Sequence, residues 1–372
     1  MLVGVPREIK IQEYRVGMIP ASVRELVHHC HAVMVERDAG AGIAFSDADY
    51  AAAGAEIVDS AAEVFARADM VVKVKEPQPQ EFGLLRDGQI LFTYLHLAAE
   101  PVVTRALIDA NNIAIAYETV SSARGGLPLL APMSEVAGRM SIQVGAHCLE
   151  KEAGGRGVLL GGVPGVEPAN VVVIGGGVAG GNAARMAMGL GARVTVLDRS
   201  LDRLGELDSL YGTALNTIYA TVDAIERHVL EADLVIGAVL VPGAAAPKLV
   251  TAGMVRAMKA GAAMVDISID QGGCFETSRP TSHDDPTFIV DGVVHYCVTN
   301  MPGAVARTSS AALNNATLPY VLTLAGKGYR RALHEDEHFR AGLNVHRGRV
   351  TYRAVADALG YPFQHAMEAI TP

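Results

Sequence analysis

Residues 171–198 read VVVIGGGVAGGNAARMAMGLGARVTVLD. The first four form an unbroken β-branched run, too short for a helix, which is how a parallel strand buried on both faces reads. Gly175, Gly177 and Gly180 follow at G-x-G-x-x-G spacing, with Val178 and Ala179 between them. A helical segment at 182–190, a stop at Gly191 and a second apolar strand at 193–197 lead to Asp198. The first glycine permits the strand-to-helix turn, the second lets backbone approach a pyrophosphate, and the third lets helix pack on strand. The helix start offers unpaired N–H groups to phosphate, and Asp198 can accept hydrogen bonds from a ribose. Strand, glycines, helix, strand and acid in this order predict a dinucleotide-binding unit. An acid at 198 favours NAD over NADP, because it would repel a 2′-phosphate; Arg199 and Arg203 nearby soften that preference.

The rest of the chain sets bounds. At 372 residues it can bury two domain cores. Half the residues are hydrophobic, yet no run of about twenty is free of charge, so no transmembrane helix is expected. The start, MLVGVPREIK, enters a strand directly and has no signal-peptide pattern. Cys30, Cys148, Cys274 and Cys297 are scattered, which suggests no disulfide framework and fits a cytoplasmic setting. A net charge of −9 argues against nucleic acid or an anionic membrane as partner.

Upstream, short apolar runs at 2–5, 32–36, 55–58, 70–74, 89–93 and 113–117 alternate with helical patterns at 20–31, 61–68 and 101–110. Such alternation predicts a second doubly wound parallel sheet, with ligands at its carboxyl strand ends. It carries no phosphate fingerprint and is the better candidate for holding substrate. Arg15, Lys75 and His96 fall at or beyond those ends. Arg suits a carboxylate, and Lys and His are easily tuned for proton work. Singly, each also reads as a surface ion pair, a strand-end solubiliser or a satisfied helix-start residue. Residues 134–152 look like a connecting helix. Further strands are expected at 233–239, 263–267 and 295–298. Asp270 lies just past the 263–267 strand, where it could face a nicotinamide or simply cap a turn. Asn300 and Met301 could line the same cleft. The chain from 304 onward reads as mostly helical, returning to the first domain, with a small ribbon or loop at 341–353 before the last helix.

Two metal-like motifs carry no metal assignment. His334 and His338 satisfy H-E-x-x-H, but the intervening acids and charged flanks describe a solvated helix end. His28, His29, Cys30 and His31 are consecutive and do not share a helix face.

Seven ordered blocks, GVPREIKIQEYRVGMIP, VVKVKEPQPQE, LFTYLHLA, LPLLAPMSEVAGRMS, VVVIGGGVAGGNAARMA, MVDISIDQGGCFETSRPT and VTNMPGAVARTSSAALNNATLPY, resemble the bacterial L-alanine dehydrogenase family along essentially the full chain. The resemblance implies two Rossmann-like α/β domains joined by long helices with a cleft between them. The substrate domain would comprise 1–128 plus 307–372, and the NAD-binding domain 129–306. It implies reversible NAD-dependent oxidative deamination of L-alanine to pyruvate and ammonia, in a homohexamer. Arg15 and Lys75 would bind substrate, and His96 and Asp270 would be the acid/base pair. The nucleotide contacts would fall on Ser134, Val178, Ala179, Asp198, Arg203, Val239, Leu240, Ile267, Asp270, Arg279, Val298, Asn300 and Met301, besides the three glycines. One departure stands out: Ala220 occupies a position where relatives often carry serine. Competing readings are a transhydrogenase-like nucleotide-binding subunit, a related amino-acid dehydrogenase with a larger pocket, and a non-catalytic NAD sensor.

Overall fold

The short apolar runs become strands in two sheets. The computed structural model describes residues 1–239 and 246–371. Strands β1 (Leu2–Val5), β2 (Ala32–Glu36), β3 (Glu56–Val58), β4 (Met70–Val72), β5 (Ile90–Thr93) and β6 (Ile113–Ala116) lie in the order β3-β2-β1-β4-β5-β6, all parallel. Their apolar continuity follows from double coverage. Val3, Val5, Val33, Val35, Met70, Val72, Ile90 and Phe92 pack into one core, while Met34, Val71, Leu91, Ala114 and Ala116 pack into another. Successive side chains point to opposite faces, so two buried faces demand apolar residues at every position.

The second sheet repeats the scheme. Its strands β7 (Asn170–Ile174), β8 (Arg193–Asp198), β9 (Leu215–Tyr219), β10 (Leu234–Gly237), β11 (Ala263–Asp266), β12 (Thr287–Val290) and β13 (Val293–Tyr296) run in the order β9-β8-β7-β10-β11-β13-β12. All its pairs are parallel except β12 with β13. In each sheet the strand order reverses once, between β1 and β4 and between β7 and β10. Such switch points are where doubly wound sheets leave a crevice for ligands.

Antiparallel pieces close an edge of each sheet. The expected ribbon at 341–353 forms β14 (Leu343–His346) and β15 (Arg349–Val350), with β14 antiparallel to β6. The β12–β13 hairpin lies outside the expectation, which put a single strand at 295–298. Its signal was present: Asp291-Gly292 separates two apolar tetrads, and φ of 49° and 79° at those residues fits the tight hairpin turn that Asp-Gly favours.

Contacts divide the chain into two compact units, Met1–Met133 with Val305–Pro372, and Ser134–Ala304. Helix Ala131–Cys148 carries the chain out of the first unit, and Ala306–Lys327 belongs to its return segment. The 20–31 helical pattern stops at His28, because Cys30 turns left-handed (φ 62°) to feed β2. His334 and His338 sit on separate short helices. Asp336 ends the first and caps the second, accepting from the N–H groups of His338 and Phe339. Among the described residues, no helix is long and apolar enough to cross a membrane.

Candidate active site

At the β1/β4 switch point the loop after β1 folds against the end of β4. Gly17 makes this possible, since a Cβ there would lie 2.3 Å from the Val72 carbonyl oxygen. The return helix pins the loop. Ser310 Oγ accepts from the Val16 N–H (3.2 Å), Asn314 Oδ1 accepts from the Ile19 N–H (2.7 Å), and Asn314 Nδ2 donates to the Gly17 carbonyl (3.2 Å).

Within this loop Arg15 is buried and aligned by Glu13, with Nε donating to Oε1 (2.7 Å) and Nη2 to Oε2 (2.5 Å). Nη1 faces the Met133 sulfur at 3.0 Å. Burial alone would favour a neutral Glu13, but the hydrogen bonds and charge of Arg15, with Lys75 adding its own, hold the carboxyl below its ordinary value. Sequence reasoning missed Glu13. A carboxylate two residues from an arginine bound for burial is the signal that could have found it.

Lys75 follows β4. Its N–H reaches Glu8 Oε1 at 3.4 Å, beside the Val74 N–H at 2.6 Å, and its carbonyl accepts from Thr93 Oγ1 at 3.0 Å. Burial, and then the charge of Arg15, lower the Lys75 pKa. Beneath it Lys73 is wholly buried, 2.9 Å from Glu81 and 3.4 Å from Glu8. Burial raises the Glu8 carboxyl and Lys73 opposes that rise.

His96 follows β5 and is exposed, in a left-handed conformation (φ 50°). Glu118 imposes that conformation by accepting from the N–H groups of Leu95 and His96, the latter at 2.6 Å. A non-glycine residue held there by its surroundings is a feature that clusters at functional sites. The imidazole stacks on Tyr94, with ring centroids 6.0 Å apart and 10° between planes. Tyr94 is also within range of the Arg15 charge. Thus Arg15, Lys75 and His96, separated in sequence, share one end of the first sheet.

In the second unit the glycine turn fits a dinucleotide. Gly175 has φ 97°, and a Cβ at Gly180 would lie 1.7 Å from the Gly175 carbonyl oxygen, so both glycines are structural requirements. Gly177 differs: a Cβ there would meet nothing within 4 Å. It caps the helix Val178–Gly189 without a side-chain partner, and both Gly177 and Val178 are exposed. The helix therefore starts at Val178, earlier than the expected 182, and includes Ala179. Asp198 ends β8 with Oδ2 accepting from the Gly176 N–H (2.6 Å) and Oδ1 from the Ser200 N–H (2.8 Å). Arg203 is committed locally, with Nε on the Gly176 carbonyl (2.6 Å) and Nη1 on Glu206 (2.6 Å).

Other sequence candidates spread around the same strand ends. Val239 follows β10 and exchanges two hydrogen bonds with Ser268 Oγ (3.0 and 2.7 Å). Ile267 and Asp270 occupy the 3-10 turn Ile267–Gln271, where Asp270 is exposed. Arg279 lies over the Phe288 ring at 4.2 Å, on the hairpin edge. Val298 bridges to Thr281, Asn300 is left-handed (φ 57°), and Met301 opens a 3-10 turn. Ser134 is half-buried on helix Ala131–Cys148. Leu240 lies outside the described residues. Asp266, at the end of β11, went unnoticed in the sequence. It is buried, and burial raises its pKa against hydrogen bonds from Ser278, Phe275 and Cys274.

Residues 4–137 match the description "Alanine dehydrogenase/PNT, N-terminal domain", and residues 141–353 match "Alanine dehydrogenase/PNT, C-terminal domain". The chain belongs to the alanine dehydrogenase/PNT family. An alanine dehydrogenase from Halomonas elongata is 60% identical over 370 residues, covering 100% of both chains. A solved L-alanine dehydrogenase superposes with a TM-score of 0.94 at 53% identity, over 97% of this chain and 99% of that one. A transhydrogenase from Sinorhizobium meliloti gives a TM-score of 0.82 at 26% identity, over 95% and 100%. The resemblance read from the seven blocks is thereby borne out, as is the two-sheet α/β architecture of the family.

Proposed function

We propose that this chain catalyses the reversible NAD-dependent oxidative deamination of L-alanine to pyruvate and ammonia. The observation that carries the reading is the Glu13-aligned Arg15 beside Lys75 at the first sheet's switch point. A guanidinium held by one carboxylate and flanked by an ammonium is suited to a second, substrate carboxylate. Transfer of hydride between dinucleotides would leave that cation pair without a task, which disfavours the transhydrogenase reading.

When bound, a nicotinamide dinucleotide would supply an acceptor for the hydride on the alanine Cα. Gly175, Gly177, Val178, Ala179 and Gly180 would hold its pyrophosphate, and Asp198 its ribose. Asp198 disfavours a 2′-phosphate by charge, and Arg203, engaged with Gly176 and Glu206, is poorly placed to offset it. That supports NAD over NADP.

Arg15 would clamp the substrate carboxylate, which fixes Cα for the reaction and removes the entropy of search. Lys75 would contact the carboxylate or the developing carbonyl. Oxidised alanine is an iminium that must add water and lose ammonia, so a proton has to move at the new oxygen. His96 would move it, because an imidazole can accept a proton at one ring nitrogen and donate one from the other. Asp270 would orient the amine and assist proton transfer. Cytoplasmic location and the homohexamer usual in the family are part of the proposal, and light scattering tests the assembly.

The test is NADH formation from L-alanine and NAD at alkaline pH, run against a panel of other L-amino acids and NADP. Signal with alanine and NAD supports the reading, whereas signal only with another amino acid moves the substrate. Silence despite nucleotide binding overturns it in favour of the sensor or the transhydrogenase-like subunit. His96→Ala is expected to abolish turnover with nucleotide affinity nearly unchanged, and normal turnover in that variant removes its role.

A further inference from the structure

The loop after β11 carries Asp270 yet has little regular structure of its own. It passes through the 3-10 turn Ile267–Gln271 and then two consecutive left-handed glycines, Gly272 (φ 87°) and Gly273 (φ 76°). Backbone in such a segment has few ladder partners, and glycine leaves it pliable. Two charged side chains of opposite sign supply the partners.

Asp266 collects the donors. Its Oδ1 accepts from the Ser268 N–H at 3.0 Å, and its Oδ2 accepts from the Cys274 N–H at 2.9 Å and Ser278 Oγ at 2.5 Å. Lys248 collects the acceptors. Its ammonium donates to the carbonyls of Gly272 (2.5 Å), Gly273 (2.9 Å) and Phe275 (3.1 Å). An ammonium has three protons and no acceptor, so three converging carbonyls match its capacity. The backbone flanking Lys248 runs along the same loop, with the Ala246 N–H on the Gln271 carbonyl (2.9 Å) and the Leu249 N–H on the Cys274 carbonyl (2.8 Å).

We propose that Lys248 is a positioning residue for Asp270, fixing the glycine pair that begins two residues after it so that the carboxylate is presented in one place. The inference rests on the catalytic role given to Asp270 above. Lys248 touches no reacting atom; it acts by clamping the carbonyls of the two residues that could otherwise let the Ile267–Gln271 turn swing. A displacement of about 1 Å at a reacting group is enough to cost roughly a hundredfold in rate.

The experiment compares Lys248→Met, Lys248→Arg, Asp270→Asn and the double variant Lys248→Met/Asp270→Asn in the full chain. Steady-state rates with L-alanine and NAD are read beside thermal midpoints and nucleotide affinity from fluorescence titration. Lys248→Met is expected to lose roughly 10- to 100-fold in kcat, with nucleotide affinity within about twofold of the wild type. Lys248→Arg, which keeps charge and several donors, is expected to recover most of that loss. On the Asp270→Asn background the methionine substitution should add less than about threefold, because the group it positions is already disabled. A general structural defect would instead multiply through both backgrounds. Should Lys248→Met fail to fold, Lys248→Gln, whose shorter, uncharged amide cannot serve three carbonyls, takes its place with the same expectation. Full turnover in the Met or Gln variant beside a crippled Asp270→Asn overturns the proposal alone, as does full multiplication in the double variant. Full turnover in Asp270→Asn overturns the role of Asp270 and this proposal with it.

Discussion

Glu13→Gln tests the substrate clamp most directly. In the native loop both carboxylate oxygens of Glu13 accept from the Arg15 guanidinium, at 2.7 and 2.5 Å, with both side chains buried. Glutamine preserves one oxygen for Nε and sets an NH2 group against Nη2, so one charge-assisted hydrogen bond is lost and two donors oppose each other. A hydrogen bond to a charged group contributes about 1.5–3 kcal/mol. If substrate binding must supply that alignment energy, kcat/KM for L-alanine falls about 10- to 150-fold, at tenfold per 1.36 kcal/mol. A carboxylate grip acts equally in the ground and transition states, so the loss should appear in the alanine KM, with kcat within about threefold. The KM for NAD should not move, since Glu13 and Arg15 belong to the unit without the glycine turn. Initial rates of NADH appearance across an alanine titration give all three quantities. An alanine KM within twofold of the wild type, in a folded variant, would refute the reasoning.

Three further predictions concern the glycine turn, Asp198 and the buried His346. Gly177→Ala should keep its thermal midpoint while losing nucleotide binding, because its Cβ enters space free of protein atoms; Gly180→Ala should fail to fold normally, its Cβ lying 1.7 Å from the Gly175 oxygen. Calorimetry with nucleotide titration separates the two, and equal behaviour would contradict the separate tasks of these glycines. Asp198→Ser should cut the preference for NAD over NADP by roughly tenfold or more, as a repelling charge is removed; an unchanged ratio of kcat/KM values would place specificity elsewhere. His346 is lowered from 6.5 to about 4 by burial and then by Arg330 and Arg347. Its folded pKa lies below its unfolded one, so its contribution is present above pH 6.5 and is lost as pH falls through about 4. The thermal midpoint of His346→Gln should fall less steeply across that window than the wild type's, and parallel slopes would contradict it.

Much of the fold could be read in the sequence because its two doubly buried sheets require continuous apolar runs, and these stand out between helical patterns. The ends of runs were less legible. Residues 73 and 74 looked like strand, but β4 ends at Val72 and the chain turns there to place Lys75. The β12–β13 hairpin is less legible because Thr287 and His295 interrupt its short apolar runs, leaving the Asp291-Gly292 pair as its main signal. At the site, Arg15, Lys75 and His96 were visible as polar residues past apolar runs. What aligns them was not: Glu13, Glu8 and Glu118 act through contacts whose partners lie 2, 66 or 67, and 22 or 23 residues away. No local pattern specifies which carboxylate meets which backbone group. Asp266 and Lys248 were hidden for the same reason, since their partners are the main chain of one irregular loop.

The pins on the Arg15 loop also set an order of events during synthesis. Ser310 and Asn314 reach residues 294 to 297 positions earlier in the chain. The unit bearing the glycine turn is one continuous stretch, Ser134–Ala304, and can close while the remainder is still being made. Glu13 is in place from the start, but the loop that carries Arg15 gains its pins at Val16, Gly17 and Ile19 only after the helix Ala306–Lys327 has left the ribosome. A chain stopped near residue 304 would therefore hold the whole glycine-turn unit beside an Arg15 loop without its two pins: one unit finished, the other waiting on its own C-terminal segment.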